Sequence, residues 1–152
     1  MGQVELVSSS PEETEAAAAR LAAVLLPGDV VAVSGELGAG KTTFVRGGAR
    51  ALGVSEPVTS PTYTIGHRHD GVSHLDLYRF ERFTEADWAA LEPYFENAVV
   101  FVEWPEAAAG RLPPPRVSVS LRHVDRYHRK LVLESAEKGL LEGIFGGGHT
   151  RL

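Results

Sequence analysis

Cysteine is absent from this chain of 152 residues, and with it go disulfide bridges, thiolate zinc sites and any cysteine nucleophile. That absence suits a reducing compartment. Long apolar runs are also missing. None approaches a length of about 18 residues, enough to span a bilayer, and the N-terminus shows no basic stretch leading into an apolar core. The chain therefore reads as soluble and cytoplasmic, with no membrane partner. Positive charge is in deficit, with 15 Lys and Arg against 20 Asp and Glu for a formal net of −5, so the surface as a whole should repel a phosphate backbone. Any nucleic acid is then held through a partner rather than directly. No internal repeat is present. No long exposed apolar stripe asks for self-association, so the chain reads as a monomer on its own. With 43% apolar residues, it fits one compact domain over residues 1–145, followed by a loose Gly-rich tail at 146–152.

What is present is concentrated in one place. Residues 35–42 read Gly35-Glu36-Leu37-Gly38-Ala39-Gly40-Lys41-Thr42, the full G-x-x-x-x-G-K-S/T phosphate-binding loop. Glycines allow the backbone to turn tightly enough to aim successive N–H groups at one anion, and the N-terminus of the following helix adds partial positive charge. In that pattern Lys41 reaches the β- and γ-phosphates and Thr42 ligates Mg²⁺. A mere Gly-rich helix entry would not explain the buried run Val30-Val31-Ala32-Val33 before the loop, or the basic helix pattern Thr43, Val45, Ala49, Leu52 after it.

The remaining patterns build an α/β domain round this unit. Ser10-Pro11-Glu12-Glu13 has the composition of a helix start, and apolar positions through Leu25 predict a helix over about 11–26, closed by Pro27-Gly28. Extended stretches 62–69 and 72–78 flank Asp70-Gly71, a hairpin turn pair. Thr84 to Glu92 reads as a short helix capped by Thr84. Ala98 to Val102 reads as a fully buried strand, and 117–121 with 131–133 as a second hairpin before a last helical turn or two within 136–145. The fold expected is a single P-loop NTPase-like domain: a central, mostly parallel sheet with β-hairpins, flanked by helices.

A P-loop enzyme needs a carboxylate at the end of a neighbouring buried strand, and Glu103, directly after Val99-Val100-Phe101-Val102, meets that requirement. In His74-Leu75-Asp76-Leu77-Tyr78-Arg79, two-residue alternation puts His74, Asp76 and Tyr78 on one face, where Asp76 could help hold metal or water. Ser60 and Thr62, between the loop helix and the hairpin, lie where nucleotide-sensing switch segments often sit; by themselves they are equally a turn. His67, His69, His123 and His128 lack metal-site partners and read as structural or exposed. Trp104 is either a packing residue or a partner-facing anchor. The basic stretch from Arg122 to Lys130 either faces a nucleotide or RNA, or is a solvated turn.

Four blocks in order, Gly35 to Phe44, Ser60-Pro61-Thr62-Tyr63, His74 to Arg79 and Val102-Glu103-Trp104-Pro105-Glu106, closely resemble the TsaE (YjeE) family over roughly residues 4–134. The resemblance implies an Mg²⁺-dependent ATPase, weak alone, that serves threonylcarbamoylation of adenosine 37 in tRNA. It implies action with TsaD and TsaB type subunits, and contact with tRNA only through that complex. Carried over by position, Gly35 to Thr43 with Lys41 bind phosphate, and Thr42, Glu103 and Asp76 serve Mg²⁺. Lys41, Glu103 and Asp76 carry catalysis, Ser60 and Thr62 act as a switch, and Thr14, Arg126 and Arg129 surround the base. Other P-loop functions stay open: a small-molecule kinase, for which no Arg-rich lid is visible, or a nucleotide-gated interaction module. A GTPase is disfavoured, because the chain has no Asn-Lys-x-Asp tetrapeptide.

Overall fold

The computed structural model describes residues 2–55, 66–78, 80–146 and 149–151. In chain order the elements are β1 (Gly2–Ser8), α1 (Pro11–Ala22), β2 (Val30–Gly35), α2 (Lys41–Ala51), β3 (Gly66–His69), β4 (Val72–Asp76), α3 (Glu85–Leu91), β5 (Val99–Glu103), β6 (Val117–His123), β7 (Arg129–Ser135), α4 (Leu140–Phe145) and β8 (His149–Arg151). They form one eight-stranded sheet in the order β3-β4-β5-β2-β6-β7-β1-β8. The middle of it, β4-β5-β2-β6, is parallel throughout, and β1 pairs with β8 in parallel. The antiparallel pairs are β3–β4, β6–β7 and β7–β1. The sheet is thus mostly parallel, with hairpins at both sides of its centre.

Burial follows that division. β5 is buried at every position, as a parallel strand covered on both faces must be. Val99 and Phe101 join the cluster formed by α1, α2 and α4, whereas Val100 and Val102 join Leu75, Leu77 and Leu91 on the other face. β6 and β7 alternate, with Val117, Val119, Leu121, Leu131 and Leu133 inward, the pattern of a sheet with one wet face.

Local signals place the element ends. Ser10 caps α1, its hydroxyl accepting the Glu13 N–H at 3.1 Å, and Pro11 opens the first turn. The helix stops at Ala22 rather than near 26, because Val24 and Leu25 donate to the carbonyls of Leu21 and Ala22 three residues back, which tightens the end out of α geometry. Asp70 and Gly71 both have positive φ, 45° and 83°, as a two-residue hairpin turn requires. Thr84 and Asp87 close a reciprocal capping box at the start of α3. β1 has no counterpart in the sequence reading. The tail read as loose carries β8, whose backbone pairs with Glu5, Leu6 and Val7.

Candidate functional site

The loop from Gly35 to Gly40 is suspended from the end of β6. Gly35 has φ +136°, and a Cβ placed there would lie 2.1 Å from the Leu121 carbonyl oxygen. Only glycine allows the chain to pass so close. The Glu36 N–H donates to the same carbonyl at 3.3 Å, and the Glu36 carboxylate accepts the His123 N–H at 3.0 Å. The Leu37 carbonyl lies 3.2 Å from His123 Nε2, so His123 is a structural support of the loop. Ala39 is buried, its N–H bonded to the Glu36 carbonyl, and Gly40, with φ +104°, opens α2.

Lys41 and Thr42 stand on the first turn of α2. The Lys41 side chain is 5% exposed; its ammonium donates to the carbonyls of Gly35 at 3.0 Å and Glu36 at 2.8 Å and lies 4.3 Å over the Trp104 ring. Burial holds its pKa below the ordinary lysine value, against the opposing pull of Glu103, Asp76 and Glu106. The Thr42 hydroxyl is 3.0 Å and 2.9 Å from the two oxygens of Glu103. Glu103 is 2% exposed, and its Oε2 is 2.5 Å from Nε2 of the buried His74. Asp76 sits in register beside Glu103 across the β4–β5 pair, and its carboxylate accepts the Tyr78 N–H at 3.0 Å.

These side chains open on a cleft of about 330 Å³ lined by Leu37, Gly38, Lys41, Thr42, Asp76, Tyr78, Glu103 and Trp104 among others. Trp104 holds φ 58° and ψ 51°, an uncommon conformation for a bulky residue, and its ring packs against Tyr78 at a 47° tilt with centroids 4.9 Å apart. Trp104 is therefore part of the cleft wall. Among the described residues no group of three or more His, Asp or Glu could hold a metal by itself. The Thr42 hydroxyl and Glu103 carboxylate are hard oxygen donors of the type Mg²⁺ takes, and Mg²⁺ is commonly held by one or two such groups plus substrate phosphates. The donor set fits that ion.

A second cleft of about 320 Å³ lies on the other side of the loop and shares Gly38, Gly40 and Thr43 with the first. Ala39, Ser9, Ser10, Pro11, Thr14, Arg126, Tyr127 and Arg129 complete its lining. Thr14 is 3% exposed and its hydroxyl is 2.7 Å from that of Ser8. Arg129 donates to the carbonyls of Asp125 and His128, both at 3.1 Å. Asp125 organises the turn by accepting from the N–H groups of Tyr127 and His128, and with the His128 ring beside it its carboxyl stays below the usual range. The structure thus brings Thr14, Arg126 and Arg129 together at the phosphate loop. Ser60 and Thr62 fall outside the described residues. Sequence reasoning missed Tyr127, although an aromatic among six basic residues was visible, and missed the bond between His74 and Glu103.

Residues 8–131 match the family model described as threonylcarbamoyl adenosine biosynthesis protein TsaE. The tRNA threonylcarbamoyladenosine biosynthesis protein TsaE of Bacillus subtilis is 39% identical over 136 residues, which cover 86% of this chain and 85% of that protein. The protein of the same name from Treponema pallidum is 35% identical over 131 residues, covering 84% of this chain and 97% of the relative. Among solved structures, the crystal structure of Bacillus subtilis YdiB matches with a TM-score of 0.77 at 32% identity, over 93% of each chain.

Proposed function

The chain belongs to the TsaE family, and on that premise we propose that it binds and hydrolyses ATP with Mg²⁺ as an accessory subunit in threonylcarbamoylation of adenosine 37 of tRNA. It acts with TsaD and TsaB type subunits and meets tRNA only through them. One observation carries the reading: the Lys41 ammonium, the Thr42 hydroxyl and the buried Glu103 carboxylate converge beside the glycine loop. Mg²⁺ would supply charge neutralisation on the phosphate oxygens. Thr42 and Glu103 would hold it, with Asp76 in support. Lys41 and the loop N–H groups stabilise charge that spreads over the transferred phosphoryl oxygens, and the Glu103 carboxylate orients the attacking water. The second cleft, with Thr14, Arg126 and Arg129, takes the base.

Two assays test this. Lys41→Ala abolishes ATP binding, whereas Glu103→Ala binds ATP and stops turnover; equal hydrolysis by the Glu103 variant and the parent would sink the assignment. In a reconstituted mixture of TsaC, TsaB, TsaD and tRNA, mass spectrometry of nucleosides should show multiple-turnover modification only when this chain is added with Lys41 intact. Modification that does not depend on the chain would turn attention to small-molecule phosphate acceptors. A Glu103 variant that supports modification without hydrolysis would make the chain a nucleotide-gated module.

A further inference from the structure

We propose that His74 is a positioning residue for Glu103, selecting which carboxylate oxygen faces the nucleotide cleft. The inference rests on the ATPase reading above. Glu103 ends β5 with its carboxylate almost fully buried, 2% exposed, and a buried charge needs hydrogen-bond partners. Among the described residues two side chains supply them. Thr42 Oγ1 lies at nearly equal distances, 3.0 Å and 2.9 Å, from Oε1 and Oε2. A hydroxyl carries one proton, so it satisfies one of these oxygens at a time. His74 Nε2 stands 2.5 Å from Oε2 alone.

An ionised carboxylate only accepts, so the proton between these groups sits on Nε2 and the imidazole donates it. Oε2 is thereby fixed to β4, and Oε1, which makes no bond to His74, is the oxygen left to serve the cleft. The sheet makes this geometry rigid. β4 and β5 run parallel with Asp76 beside Glu103 and His74 beside Phe101, so His74 sits one pleat back from Glu103 on the same face. His74 is itself 5% exposed, and cannot swing out to water without opening that face. A glutamate has three rotatable side-chain bonds, and loss of the imidazole would free the carboxylate to turn without disturbing the loop that holds phosphate.

The test compares His74→Phe, which keeps a ring and removes the donor, with His74→Gln, whose amide can donate from a similar reach. His74→Phe should keep its affinity for ATP, measured without Mg²⁺, within about twofold. Its kcat should fall by about 10–100-fold, as expected for a group that orients a metal-site ligand. His74→Gln should recover most of that loss, and adding His74→Phe to Glu103→Gln should cost less than about twofold more. Independently of activity, the parent should show a slowly exchanging imidazole Nε2–H resonance that disappears in Glu103→Ala as well as in His74→Phe. An active parent whose kcat is unchanged by His74→Phe, full additivity with Glu103→Gln, or no protected imidazole resonance overturns the role of His74 alone. A parent that hydrolyses no ATP with Mg²⁺, alone or with TsaD and TsaB type subunits, overturns the ATPase reading and this role with it.

Discussion

Gly35→Ala and Gly38→Ala both add one methyl to the phosphate loop, yet the structure assigns them very different costs. At Gly35 the added Cβ would stand 2.1 Å from the Leu121 carbonyl oxygen and 2.9 Å from its nitrogen, at φ +136°. Three penalties combine there. Backbone strain at such a φ costs about 1–3 kcal/mol. Pushing backbone apart in a packed region costs about 1–3 kcal/mol, and loss of the Glu36 N–H bond to Leu121 costs about 1 kcal/mol. Lower entropy of the unfolded chain returns about 0.4–1 kcal/mol. The net is about 2–7 kcal/mol, a large part of the roughly 5–15 kcal/mol that holds a domain folded. Gly38 also has positive φ, +75°, but nothing lies within 4 Å of the point where its methyl would stand, so strain alone remains, about 1 kcal/mol after the same entropic offset. Urea unfolding followed by circular dichroism measures both. In thermal melts the difference should appear as a fall of about 4–28 °C for Gly35→Ala against about 2–4 °C for Gly38→Ala. Equal destabilisation by the two would refute the claim that the loop hangs on β6 by a contact only glycine permits.

Two further outcomes follow from the clefts and the hairpin. Tyr127→Ala should weaken ATP binding by about 1–3 kcal/mol, the usual range for an aromatic under a base, and leave inorganic tripolyphosphate binding unchanged, because Tyr127 lines only the cleft away from Lys41. Calorimetry with both ligands reads this, and a parallel loss for tripolyphosphate would place Tyr127 at the phosphates instead. Local desolvation, then the neighbouring His74 and His69, holds the His67 pKa below the ordinary 6.5, so the unfolded chain binds that proton more readily than the folded one. The stability this site contributes is complete above pH 6.5 and is lost as pH falls from there through the depressed value; His67→Gln should flatten the pH dependence of the urea midpoint in that window, and an unaltered slope would count against it.

Those parts of the site whose geometry is local in the chain could be read from residue order. The phosphate loop, the Asp70-Gly71 turn, the Thr84 cap and the buried run before Glu103 each involve neighbours within a few positions, where turn chemistry and periodicity act directly. Thr42 and Glu103 are sixty-one positions apart, yet their partnership was also accessible, because P-loop chemistry demands a carboxylate at a strand end. No such demand names His74 as the partner of Glu103. That bond depends on β4 lying next to β5 in one register, and the alternation in 72–78 fixes a face but not a neighbour.

The second cleft is non-local to a greater degree, and its assembly follows from one strand pairing. β1 runs antiparallel to β7 with Ser8 opposite Arg129. Ser9 to Thr14 leave the end of β1 just where the turn carrying Arg126 and Tyr127 enters β7, so two segments more than a hundred residues apart meet over Gly38 and Gly40. The pairing is stabilised by burying Val4 and Leu6 beside Leu133 and Leu131. A one-residue slip would turn that apolar set to the wet face and carry Ser8 away from Arg129. The hydrophobic alternation of β1, which touches no nucleotide chemistry at all, therefore sets where Thr14 stands relative to the basic turn.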